Sequence, residues 1–347
     1  MIVYRVIVKS VLPVLYVSGL VVLFPLFDHV FTESVTTIRM FVGQLGVEMG
    51  LIDDRRQMMQ GIYRPELPYS FSRLDTLETK VGRRFDIVSF YQTWGDRSGD
   101  EFPIHLLQEI HDRGRIAMIT WEPWLTEFAR NRGKPADEVR TDLKAISEGL
   151  FDSFIHAWAK EAAIFGKPFF LRYAHEMNNQ QYPWYTGGRN TAEDFVSAWR
   201  HVHDIFRTER ASNVIWVWSP RGEMPRELFP GPEYVHWLGA AVFNYGAHGG
   251  DVWHSFEFLY EPVYKSALHY AKPIMIAELG CSPLGGSQAQ WYADAFVRLR
   301  DRYHETAAIV FYNNPTDRTH PGEVIDWSID ENEEVIRHMR ELFQVHE

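Results

Sequence analysis

"PFFLRYAHE", residues 168–176, is apolar on consecutive positions and then turns abruptly polar. Strict alternation would mark a strand with one wet face, whereas an unbroken apolar run of this length marks a strand covered on both. Seven other runs share the pattern. They are "GIYRPE" from 61, "FDIVSFYQTW" at 85–94, "IAMITWEPW" at 116–124, "NVIWVWSP" at 213–220, "LGAAVFNYG" at 238–246, "KPIMIAELG" at 272–280 and "AAIVFYNN" at 307–314. Longer segments between them place apolar residues every three or four positions, as helices do. "EVRTDLKAISEGLFDSFIHAWAKEAAIFG" reads as one helical stretch closed by Gly166, and "TAEDFVSAWRHVHDIFRTER" opens on a Thr191/Asp194 capping pair. Strand–helix alternation eight times over roughly 290 residues predicts a (β/α)8 TIM barrel across residues 58–347.

Active sites of this fold lie at the C-terminal mouths of the strands. Nearly every run ends in polar or aromatic residues: Gln92 and Trp94, Trp121 and Glu122, His175 and Glu176, Trp218, Asn244 and Tyr245, Glu278, Asn313 and Asn314. A glutamate just past an apolar run is ordinarily the first solvated residue beyond a strand. Two of them on strands four and seven, whose mouths face each other across the barrel, carry more meaning. Glycosidic bond cleavage needs two carboxyl groups flanking the anomeric carbon, one to protonate the leaving oxygen and one to attack or to activate water. Burial among aromatics such as Trp184, together with the charge of Glu278, should raise the pKa of Glu176. Hydrogen bonds from neighbours such as Tyr245 and a cation such as Arg172 should keep Glu278 ionised. That split makes Glu176 the acid/base and Glu278 the nucleophile.

Bulk properties narrow the field. The 347 residues are 46% apolar and 15% aromatic with a net charge of −11, which supports a large core and argues against a nucleic-acid partner. A lone cysteine, Cys281, excludes disulfides within the chain and Cys-based metal sites. "HEMNN" at 175–179 lacks the second histidine of H-E-x-x-H and lies at a strand end, so no metal is expected there. "GAHGG" at 246–250 reads as a mobile loop beside the site. Arg5 and Lys9 precede the uncharged "VLPVLYVSGLVVLFPLF" at 11–27. This predicts a signal-anchor or transmembrane helix over 1–30, followed by a linker or stalk helix over 31–57, with the barrel exported to the periplasm or beyond. A cleaved signal peptide is the rival reading.

These motifs resemble glycoside hydrolase family 26, whose members include β-mannanases, mixed-linkage glucanases and β-1,3-xylanases. "RYAHEMN" matches the family's fourth-strand motif through Arg172, His175, Glu176 and Asn178; "PIMIAELG" matches the seventh through Glu278; "FNYG" offers Tyr245, and "DWSID" at 326–330 resembles the segment after strand eight. The resemblance implies a retaining endo-β-glycosidase without metal or other cofactor, acting on a β-linked polysaccharide such as mannan, mixed-linkage β-glucan or the cell's own exopolysaccharide. Arg172, His175, Asn178 and Tyr245 are then substrate-binding or orienting residues. Trp94, Trp121, Trp124, Trp184 and Tyr312, at strand mouths, are sugar-contact candidates, and Trp218 is preferred over Trp216. Three positions depart from the family: His236 stands before Trp237 in place of an aspartate, Phe243 where mannanases can place an acidic residue, and Tyr312 near a tryptophan position. They bear on the substrate more than on the glutamate pair. A reading from another class keeps the barrel as a non-hydrolytic carbohydrate-binding or polysaccharide-export scaffold, in which two mutually repelling carboxylates have no use.

Overall fold

Eight parallel strands, each hydrogen-bonded to the next in sequence order, close on themselves through β8 and β1. They are β1 (Met59–Tyr63), β2 (Ile87–Thr93), β3 (Ile116–Glu122), β4 (Phe169–Tyr173), β5 (Val214–Trp218), β6 (Trp237–Asn244), β7 (Ile274–Cys281) and β8 (Thr306–Tyr312). Every one falls within or against a predicted apolar run. This computed structural model describes residues 58–95, 101–133, 140–319 and 322–344. The expected anchor and stalk (1–57) lie outside them; among the described residues no helix is long and apolar enough to cross a membrane.

The helices are α1 (Ser72–Val81), α2 (Ile104–Asp112), α3 (Leu125–Asn131), α4 (Leu143–Ser147), α5 (Asp152–Phe165), α6 (Ala192–Thr208), α7 (Phe256–Ala267), α8 (Gln288–Asp301) and α9 (Glu333–Gln344). Gly166 caps α5 in the left-handed region, and Thr191 with Asp194 forms a reciprocal capping box on α6. The segment expected to be one helix up to Gly166 is two. Asp142 caps a new start, and Gly149, at φ +87°, breaks the chain between α4 and α5.

The pleat decides what reaches the site. Along β3 and β4, Thr120, Glu122 and Arg172 face the interior, where Arg172 Nε and Nη2 donate to Thr120 Oγ1 at 2.9 and 2.7 Å. The alternate residues Ile119, Trp121, Leu171 and Tyr173 pack outward against the helices. Trp121 stacks on Trp158 of α5 at 4.4 Å between ring centroids, with Trp94, Phe154 and Tyr173 around it. The seam between β1 and β8 runs in register from Met59↔Ala308 to Tyr63↔Tyr312. Arg64 locks it: its fully buried guanidinium pairs with Glu66 at 2.6 Å and Asp330 at 2.7 Å.

Candidate active site

Glu278 owes its direction to an irregularity. Ile276 and Leu279 both pack toward the helices, three positions apart, so simple alternation from Ile276 would turn Glu278 outward as well. β7 gains one residue there: β6 pairs Ala240 with Ile276 but Ala241 with Glu278, skipping Ala277, and β8 shows the matching register shift. The bulge re-aims Glu278 into the mouth of the barrel, a common use of such insertions. Its Oε1 accepts from Arg172 Nη2 at 2.5 Å and from the Tyr91 hydroxyl. Arg172 is fully buried; burial works against its charge, but the Glu278 carboxylate outweighs that and raises its pKa.

Glu176 comes three residues after β4 ends. Ala174 and Glu176 both hold positive φ, 44° and 49°, a conformation costly for non-glycine residues and found where function requires it. Neighbouring strand ends enforce the turn: Ala174 N–H donates to Trp121 O at 3.0 Å and Glu176 N–H to Ser219 O at 2.7 Å. The carboxyl is nearly buried, and its Oε2 accepts from Asn179 Nδ2 at 2.7 Å. Burial raises its pKa, with the Glu278 charge next.

Both glutamates open onto a cleft of about 970 Å³, lined also by Tyr63, Tyr91, Glu122, Trp124, Tyr182, Arg221, Tyr245 and Tyr312. Tyr63 and Tyr312 stack at 4.8 Å, and Trp327 wedges behind Tyr245 and Phe243 with its indole N–H on Asp317 at 2.8 Å. His175 lies beneath the surface with Nε2 3.0 Å from the Tyr182 hydroxyl. Burial and then Arg172 push its pKa well below the usual histidine range, so it is neutral. Among the described residues no cluster of His, Cys, Asp and Glu is arranged to hold a metal ion.

Several expected sugar contacts lie elsewhere. Trp121 and Trp94 belong to the layer between barrel and helices, because the pleat turns them away from the cleft. Trp218 points the same way as Trp216, outward, onto Phe229 and Tyr270. Trp184 is buried behind the site: it stacks on Tyr182 at 4.6 Å and donates to His175 O at 2.6 Å, so it holds the histidine loop. Asn178 spends both side-chain polar atoms on the Arg221 backbone, accepting at 2.7 Å and donating at 2.8 Å. In the 246–250 loop His248 Nδ1 bonds Glu323 at 2.7 Å and Nε2 bonds Ser282 Oγ at 3.0 Å. Trp124, Tyr245 and Tyr312 do line the cleft.

Tyr91 escaped the sequence reading, and Glu122 was read at a strand mouth without a role. Tyr91 is the tyrosine seen bonded to Glu278, from β2. Glu122, at the mouth of β3, is a third carboxyl in the cleft. Burial, opposed by a 3.0 Å bond from Trp124 Nε1, raises its pKa to about 7. Both stand on the inward parity of their strands, a signal that alternation from Thr120 and Ser89 could have supplied.

A closed (β/α)8 barrel with a glutamate at the mouths of β4 and β7, one pKa raised and the other carboxylate bonded by Arg and Tyr, defines a glycoside-hydrolase type of barrel. Residues 137–277 match the model of glycosyl hydrolase family 26, the family that the strand-four and strand-seven motifs resemble. The chain is 30% identical over 283 residues to endoglucanase H of Acetivibrio thermocellus, an alignment covering 78% of this chain and 29% of the relative. It is 26% identical over 152 residues to mannan endo-1,4-beta-mannosidase A and B of Caldalkalibacillus mannanilyticus, covering 42% and 28%. The chain thus spans about three tenths of the length of these relatives. Among solved structures, a GH26 beta-mannanase from Bacteroides ovatus superposes with a TM-score of 0.62 at 15% identity, covering 84% of this chain and 90% of that one. The Bacillus subtilis mannanase BCman gives 0.61 at 17%, covering 88% and 90%. At these identities the likeness is one of fold.

Proposed function

We propose that this protein is a retaining endo-β-glycosidase that hydrolyses a β-linked polysaccharide. The observation that carries the reading is the opposed electrostatics of one glutamate pair in one cleft: Glu176 with its pKa raised, Glu278 held by Arg172 and Tyr91. In the first step Glu176 gives its proton to the glycosidic oxygen while a Glu278 oxygen bonds to the anomeric carbon and the bond to the leaving group breaks. In the second, Glu176, now a carboxylate, takes a proton from water as the water oxygen attacks that carbon and Glu278 departs. Arg172 and Tyr91 orient Glu278 throughout. Neutral His175, with Tyr182 and Trp184, supports the turn that carries Glu176.

A β-glucan ranks ahead of mannan as substrate. The relative aligned over most of the chain is named an endoglucanase, and Phe243 stands where mannanases can place an acidic residue. From the apolar stretch at 11–27 we also infer an exported, membrane-anchored enzyme; recovery of the full-length protein in the soluble cytosolic fraction would overturn that. The functional test is a panel of mixed-linkage β-glucan, mannan, β-1,3-xylan and host exopolysaccharide, offered to the full-length protein and to Glu278→Ala. Cleavage of one polymer, lost by at least about a thousandfold in the variant, is expected. Azide should restore turnover to Glu278→Ala as a glycosyl azide of inverted configuration. In Glu176→Ala, aryl glycosides with good leaving groups should be spared far more than polymer, because they need no acid.

A further inference from the structure

Helix α7 buries Phe256, Tyr260, Val263 and Ala267 along one stripe, and Phe258 lies off it, exposed and lining the cleft. His254, one turn back across the capping residue Ser255, stacks on it with ring centroids 4.3 Å apart and planes within 11°. The mount is firm. Ser255 Oγ accepts from Phe258 N–H at 3.1 Å, His254 N–H donates to Asn244 Oδ1 at 3.2 Å, and His254 O accepts from Trp291 Nε1 at 3.0 Å. Beside them the Trp253 indole fills the space over Gly286, where even a Cβ would come within 2.5 Å of it. Two rings are therefore held at the cleft edge by the end of β6 and by α8, and Phe258 has kept its face out of the helix's own core. Exposed aromatic surface inside a polar-rimmed cleft marks a ligand contact.

We propose that His254 and Phe258 form a sugar-binding platform, which stacks the apolar face of a pyranose unit of the bound chain outside the unit flanked by Glu176 and Glu278. The platform continues the cleft that holds the glutamates, so its occupant is the same β-linked polymer; this rests on the glycosidase reading. A platform at the cleft edge favours long chains over short ones and makes the enzyme endo-acting.

The experiment measures kcat and KM of the wild type, Phe258→Ala and Phe258→Trp on the cleaved polymer and on its oligosaccharides of increasing length. Calorimetric affinity of the longest oligosaccharide is measured in a Glu278→Ala background, and thermal melting monitors folding. Phe258→Ala should lower kcat/KM for polymer and long oligosaccharides about tenfold, through KM, and much less for the shortest. Phe258→Trp should retain or improve it. Equal effects at all lengths, or none, would overturn the platform and leave the glycosidase reading standing. If polymer is bound but never cut, and Phe258→Ala weakens binding, the platform stands and the hydrolase reading falls. Absence of any glycan binding removes both, whereas self-association of the protein that disappears in Phe258→Ala overturns the platform and leaves the glycosidase reading standing.

Discussion

Glu122 carries a pKa of about 7 in the fold, and an unfolded glutamate titrates near 4.3. Its raised value means that the native state holds a proton the unfolded state has already released between those limits. Its contribution is therefore most favourable at acid pH and declines as pH rises toward 7. Glu122→Gln keeps the bond from Trp124 and cannot ionise, so the variant should gain up to about 3 kcal/mol over the wild type at pH 8 and little at pH 4. Urea melts at the two pH values check this, and a pH-independent difference would contradict it. Tyr91→Phe removes one of the two donors on Glu278 and should lower kcat about 10- to 100-fold with little change in KM or Tm. At this scale the residues with charge and motif context were legible: Arg172 bonds Glu278, Glu176 opens onto the same cleft and His175 lies beneath it. The sequence withheld Tyr91, because a tyrosine inside a strand announces no function until its inward parity is known, and it put Glu122 at a strand mouth without a role.

At the scale of elements, the eight strands were readable because short apolar runs, as strands buried on both faces leave, alternate with longer segments of helical periodicity. The direction of individual tryptophans was not. Trp121 and Trp218 stand at strand mouths but on the outward parity, and position along a strand says nothing of face until one partner is placed. The β7 bulge works in the opposite sense, as no residue type at Ala277 signals that an extra position will turn Glu278 inward. Gly149 divides a segment that reads as one helical stretch because the apolar periodicity on either side of it continues across the break. The turn after β2 offers a test of how tightly these elements fit. Gly95 sits at φ +89°, and an added Cβ would lie 2.4 Å from the backbone of Phe128 in α3. Gly95→Ala should cost about 2–5 kcal/mol, read from denaturant midpoints, with kcat of the surviving folded fraction unchanged.

The molecule as a whole is organised so that its chemistry belongs to no single part. The site draws Tyr91 from β2, Glu122 from β3, Arg172 from β4, Glu176 from the turn after it and Glu278 from β7, and the seam at β1 and β8 brings Tyr63 and Tyr312 together. The order of strands was legible from the sequence because parallel strands joined by helices leave few arrangements open. The spacing of partners across the barrel is what no local pattern encodes. The bonds on Glu278 join residues 106 and 187 positions apart, and contacts of such sequence separation form late, after the entropy of closing those loops has been met. Catalytic power is then a reporter of the final stage of folding. After dilution from denaturant, helical circular dichroism should recover first and hydrolysis only with the slowest phase. A stopped-flow trace in which activity keeps pace with the early signal would mean that a partial barrel already assembles the glutamate pair. Ribosomal synthesis imposes the same order: until β7 has emerged the chain holds Glu176 without Glu278, and on the proposed roles a fragment ending before β7 should cut no glycan.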